Sequence, residues 1–335
     1  MLHPYWGKDF FGFFAALFGR IFSGGHLVTD EVQLLTLFAI GISASVIGTF
    51  LILQKMSMLA NSLAHTVLFG IVVTYLGMNA LGMRPDPTAI EMPALIVAAL
   101  VTALVTTFST TFLKRRFQLQ EDASMALVFT TFFALGILLV TIFTRNAHIG
   151  VEVITGNIDA LHPDDVKLSM ILLLGNLVLL GLLYRKYTMV TFDPKFARAI
   201  GLPVGLLHYV LMVQTSATTI GSFRAVGVFL FLAFLVGPPL AARMITKKIG
   251  HMILVSSGIA IFASLIGVAL SRHCLSVYHL PLSTSGIAVA VIGGIYFSIG
   301  FLKKWCRIAS YGATRNTAGK HGIGREANTS SDLSS

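Results

Sequence analysis

Two residues with ligand chemistry sit where polar groups are rare. Asn61 and His65 fall inside the apolar run 58–81, four residues apart, and on a helix that spacing puts both on one face. A neutral imidazole binds divalent transition metals well; an amide oxygen is a poorer ligand than a carboxylate. Polar groups this deep in an apolar run are costly and face a cavity or a partner. Two uses stay open: holding a passing ion, or helix–helix hydrogen bonds worth about 0.6 kcal/mol each in lipid.

A second constellation is the polar break Phe192-Asp193-Pro194-Lys195-Phe196-Ala197-Arg198-Ala199-Ile200-Gly201-Leu202-Pro203. Asp193 is an N-cap, able to accept from free backbone N–H groups two and three residues on. Pro194 suits the first helical position. Gly201 takes the left-handed position after the helix, and Pro203 blocks continuation. The helix between has fewer than two turns and would melt alone in water. It therefore needs a docking surface. Phe196, Ala199, Ile200 and Leu202 offer an apolar patch, and Lys195 and Arg198 offer charge. That patch meets either a partner or the ends of the chain's own helices.

The remaining candidates read more plainly. His148, His162, His273 and His279 fall in polar loops, and His148 and Glu152 have i, i+4 spacing without a sign of helix. No closed metal-ligand set appears. His208 and His251 sit near helix ends and suit local hydrogen bonds. Gln214, Thr215 and Ser216 either line a cavity or bond to backbone. Glu121 and Asp122 suit a helix N-terminus. Gly312 to His321 looks superficially like a phosphate loop, but six residues separate its glycines and His follows Lys, so nucleotide binding is not expected. No convergent Asp/His/Glu/Ser set suggests an enzyme.

The elements that must position these residues follow from composition. The chain is 55% hydrophobic and 11% charged, against about 25% charge in a soluble domain. Lipid must be the solvent for much of it. Runs 32–53, 58–81, 92–113, 123–143, 168–184, 204–221, 225–242, 252–270 and 283–302 approach the roughly 20 residues a spanning helix needs. They are continuous rather than alternating, which argues against strands. The fold class predicted is an all-α integral membrane protein with about nine transmembrane helices. An interfacial segment (1–31), a transmembrane domain (32–302) and a disordered tail (303–335) complete the division. Segment 10–22 is too short and too poorly flanked for a cleavable signal.

Net charge is +10, but its distribution argues against nucleic acid. If the 193–203 break is cytoplasmic, alternation puts 17 of the 24 lysines and arginines on that side, which is the positive-inside bias. Cys274 and Cys306 then lie on opposite faces and cannot pair. None of the nine runs has a mid-span carboxylate, which disfavours a gradient-driven carrier. Small-xxx-small pairs Gly41/Ser45 and Ala44/Gly48 suit close helix packing, within the chain or between chains.

Taken in order, these motifs resemble the permease subunit of the metal-ion ABC importers, the zinc, manganese and iron class. Residues 192–203 look like that family's coupling helix, and Arg224-Ala225-Val226-Gly227 with Gly237-Pro238-Pro239 follow as in the family. Ala60-Asn61-Ser62-Leu63-Ala64-His65, Glu121-Asp122-Ala123 and Gly156-Asn157-Ile158 match further segments. The departures are Asn61 where the family has Asp, Phe69 where it has Pro, and a longer Leu280-Pro281-Leu282-Ser283-Thr284-Ser285-Gly286 before the last run.

The resemblance implies a vitamin-B12-importer-like (type II) permease fold in a bacterial inner membrane, with a cytoplasmic C-terminus. It implies Asn61 and His65 on the ion path, and Asp193, Pro194, Phe196, Ala197, Arg198, Gly201 and Pro203 as the grip of a separate ABC ATPase. Further partners are a second permease chain and an extracytoplasmic metal-binding protein. The metal is cargo, no cofactor is held, and ATP hydrolysis lies in another chain. A permease for a metal chelate or cobalamin-like cofactor is the alternative.

Overall fold

The structure is a computed structural model. It describes residues 28–55, 57–80, 92–144, 158–161, 163–280 and 282–305, together with 12, 15, 19 and 20. Most of the 1–31 segment, the tail after 305, and His148, Glu152, Gly156, Asn157, His162 and Cys306 lie outside the described residues.

Among the described residues every regular element is helical: α1 Thr29–Leu53, α2 Ser57–Ala80, α3 Met92–Phe117, α4 Glu121–Thr144, a 3₁₀ turn Ile158–Ala160, α5 Pro163–Phe192, α6 Pro194–Ala199, α7 Val204–Ile245 and α8 Ile249–Tyr278, then α9 Thr284–Trp305. Continuous apolar sequence explains this, because a helix satisfies its backbone hydrogen bonds within one segment and needs no water. Five stretches among the described residues are long and apolar enough to cross a membrane: Thr29–Leu53, Asp165–Phe192, Ala225–Ile245, Ile249–Tyr278 and Thr284–Trp305. The expected runs 92–113 and 123–143 are helical as α3 and α4, and run 58–81 is helical as α2 through residue 80.

α1 is the central post, buried along most of its length. Its neighbours give the direction of every rod around it. Ser43 meets Asn176 and Gln54 meets Thr191, so α1 and α5 run parallel. Thr49 lies 3.3 Å from Ser256 and Ser45 3.4 Å from Ser257, while Asp30 pairs with Arg272, so α8 runs antiparallel to α1. Gly48 explains the closeness of approach: a Cβ there would collide with the carbonyl of Leu235. The α1 small-residue pairs thus serve packing within the chain.

One expectation needs correction. The separate apolar runs 204–221 and 225–242 predict a break over 222–224, yet the helix continues past Arg224 as a single element broken only at Gly227 (φ 77°, ψ 169°). Before that residue the helix is antiparallel to α5, with Asn176 against Thr218 and Leu172 against Gly221. Beyond it, Gly237 abuts Ile292 and Met244 accepts from Lys303 of α9, and that arm runs parallel to α9. The chain reverses on one residue, in a backbone region essentially restricted to glycine. Phe223 and Phe231 close the bend edge-to-face at 5.9 Å, a geometry favourable for aromatic pairs.

α2, α3 and α4 form a second layer. Thr106 donates to Thr66 (3.3 Å) and Ser62 to the Met125 carbonyl (3.3 Å), and Phe69 stacks on Phe132 at 4.9 Å. The two layers meet where α2 and α3 pack on α7.

Candidate functional site

The register of α2 keeps Asn61 and His65 on one face, within three turns of its start. Their side chains lie outside the described residues. Positions 62, 66 and 70, one residue on, form the face packed against α3 and α4: Ser62 and Thr66 are bonded there, and Thr102 closes on Gly70. One residue is about 100° of rotation, so 61 and 65 occupy a separate face. Among the described residues no group of three His, Cys, Asp or Glu side chains could hold a metal ion.

α6 forms as its residues dictate. Asp193 Oδ1 accepts from Lys195 N–H (3.0 Å) and Phe196 N–H (2.9 Å), and Pro194 opens the helix. At the other end Gly201 adopts φ 82°. The Gly201 N–H donates to the Arg198 carbonyl (3.0 Å) and the Leu202 N–H to the Ala197 carbonyl (3.0 Å), the paired bonds of a Schellman motif. Ala197 is fully buried in the main core, and half-buried Leu202 packs against that core. Phe196 is 55% and Ile200 51% exposed, and Lys195, Arg198 and Ala199 are exposed too. So the expected apolar patch divides: Leu202 joins Ala197 in anchoring the helix, and Phe196, Ala199 and Ile200 stay outward.

At the end of the bundle opposite α6, a polar group joins four elements. Asp159 Oδ1 accepts from Gln33 Nε2 (2.9 Å) and from Thr284 Oγ1 (2.6 Å), and Thr284 Oγ1 lies 2.9 Å from Ser271 Oγ. Beside it the wholly buried Asp30 pairs with Arg272, and Ile158 drops into the core. Sequence reasoning passed over this group. Its signal was the acid pair at the head of the first apolar run.

Asn176 was missed as well, although it is a lone amide inside run 168–184. It donates to Ser43 and Thr218 (2.7 Å), and Gln214 donates to its backbone carbonyl (3.3 Å). Thr215 bonds the Leu211 carbonyl, the backbone alternative for that polar run. His251 and His279 are exposed, and His279 ends α8 in the left-handed conformation. His273, expected in a polar loop, lies within α8 instead, because that helix runs on to Tyr278, and its ring stands edge-on to Tyr278 at 6.1 Å.

Known proteins share this architecture. A solved structure titled "PsaBC from Streptococcus pneumoniae in complex with Fab" superposes with a TM-score of 0.68 at 24% identity, covering 82% of this chain and 91% of that one. The chain is 41% identical to a Chlamydia muridarum protein named "Probable metal transport system membrane protein", over 90% of this chain and 94% of that protein. It is 32% identical to the "Manganese transport system membrane protein MntD" of Bacillus subtilis, over 78% and 88%. The model of the ABC 3 transport family matches residues 31–303. With that match spanning most of the sequence, the chain belongs to the ABC 3 transport family.

Proposed function

We propose that this chain is the membrane permease subunit of an ATP-driven importer for a divalent metal ion, with manganese the first ion to test because relatives carry that name. The observation that carries the reading is α6. It is a surface helix capped at both ends, anchored by Ala197 and presenting Phe196, Ile200, Lys195 and Arg198 outward. So short a helix is stable only if held, and its unsatisfied apolar face suits a separate ATPase.

In this reading the chain crosses a bacterial inner membrane nine times, α7 contributing two passes, in a type II arrangement. The α6 end and the C-terminal tail face the cytoplasm. Residues 1–31 lie at the interface, 32–302 form the permease, and 303–335 are tail. A second permease chain shares the path, an extracytoplasmic metal-binding protein delivers the ion, and ATP is split in the partner. Asn61 and His65 line the path: an amide oxygen suits hard manganese and imidazole suits the later metals, and a conducting site must release its ion.

Proteoliposomes holding the permease, its ATPase and its delivery protein test this. ATP-dependent manganese uptake is expected. His65→Leu should cut that uptake at least about tenfold, the scale of losing one ligand-supporting group, with the complex intact by gel filtration. Full uptake by His65→Leu would remove His65 from the path. No ATP-dependent uptake of manganese, zinc or iron would remove the function.

A further inference from the structure

Resting on that reading of α6, we propose that its movement reaches the Asn61/His65 helix through a clamp between the ends of α5 and α1. The residues are Phe50, Gln54, Tyr184, Tyr187 and Thr191.

The connection from α6 to α5 has no slack. One residue, Asp193, separates the two helices. Its N–H bonds the Met189 carbonyl (3.0 Å) and its own carbonyl accepts from Ala197 (3.0 Å). A displacement of α6 is therefore a displacement of the end of α5. The link from α6 to α7 is longer, four residues from Ile200 to Pro203.

The end of α5 is in turn fastened to the end of α1. Phe50 is fully buried, edge-on to Tyr184 at 6.3 Å and tilted against Tyr187 at 5.6 Å. One turn further, Gln54 Nε2 donates to Thr191 Oγ1 (3.2 Å). Close-packed rings transmit strain rather than absorb it. Immediately after Gln54 the chain turns on Lys55, whose φ is 61°, and α2 starts at Ser57. Asn61 follows on the second turn. α1 and α2 touch each other little and share α7 as a neighbour; the turn is their covalent link and the shortest one along the chain. The route from ATPase grip to ion face thus runs α6, α5, clamp, turn, α2. Phe50, Gln54 and Thr191 are positioning residues, acting through α2 rather than on the ion.

The test uses the reconstituted complex with manganese and Gln54→Ala, Thr191→Val, their double variant and Phe50→Leu. Gln54 and Thr191 are only half-buried, so the first two variants should fold. Expected are ATPase rates within about twofold of wild type and a rise of about threefold or more in ATP split per ion moved, the factor of one lost hydrogen bond. The double variant should be no worse than the single ones, because the pair acts as a unit. An unchanged ratio overturns the route, whether uptake and ATPase stay constant or fall together. Gly201→Val on the same vesicles separates the two claims: if it uncouples while the clamp variants do not, the route fails and the role of α6 stands. If wild type moves no ion with ATP, both fail.

Discussion

Tyr187 is fully buried against Phe50, and its hydroxyl has no hydrogen-bond partner among the described residues. Leaving a buried hydroxyl unpaired costs about 1–3 kcal/mol. Tyr187→Phe keeps the ring contact and removes the unpaired atom. The expected result is an equal or higher thermal midpoint in detergent with the ATP-to-ion ratio unchanged; a clear fall in the midpoint would mean that the hydroxyl is bonded. Gly201 makes the opposite demand. Space around it is open, so the constraint is its φ of 82° alone. Asn tolerates that region, Ala loses about 1–2 kcal/mol and a β-branched residue more. Coupled uptake should therefore fall in the order Gly, Asn, Ala, Val. Wild-type uptake by the Val variant would count against the cap.

Between elements, the contact that sets the spacing of the bundle is Gly48 of α1 against the backbone of Leu235 in α7. A carbonyl on a helix cannot swing aside as a side chain does. Gly48→Ala should destabilise by about 1–3 kcal/mol through overpacking. Gly258 in α8 is an internal control, since nothing lies within 4 Å of an added Cβ there. Gly258→Ala should be neutral or stabilising by up to about 1 kcal/mol from helix propensity. Thermal unfolding of both variants checks the contrast, and equal midpoints would refute the packing account. Asp159 makes a similar point at the far end. Asp159→Ala would leave Gln33 without its carboxylate acceptor, at about 1–3 kcal/mol for a buried unpaired group. Both donors bond the one oxygen Oδ1, so Asp159→Asn keeps an acceptor for both and should lose less by the same measurement.

For the molecule as a whole, the alternating directions of the rods place α6 and the break 246–248 at one end and the 3₁₀ turn with the α8–α9 connection at the other. Exposed Lys195 and Lys247 lie at the first end, exposed Asp159 and His279 at the second. In a background with Cys274 and Cys306 replaced by Ser, cysteines at 195 and 247 should react with an impermeant maleimide only from the cytoplasm. Those at 159 and 279 should react only from outside. Labelling of 195 in intact cells would invert the orientation and separate α6 from any cytoplasmic ATPase.

The sequence by itself determined what local chemistry decides. Continuous apolar runs dictated helices, because backbone in lipid must bond within its own segment. Asp193, Pro194 and Gly201 dictated both ends of α6, because caps are contacts over two to five residues. Tertiary structure alone decided the rest. That Arg224 lies within a helix and the chain reverses at Gly227 could not be read from the run lengths, since a one-residue break leaves almost no polar signal. Asn176 with Ser43, Asp159 with Gln33 and Thr284, and Phe50 with Tyr187 join residues more than a hundred positions apart. Such pairs depend on which helices stand side by side. In an apolar chain nearly every helix face is greasy enough to pack, so hydrophobic pattern does not choose neighbours; the fit of small residues such as Gly48 against a facing backbone does.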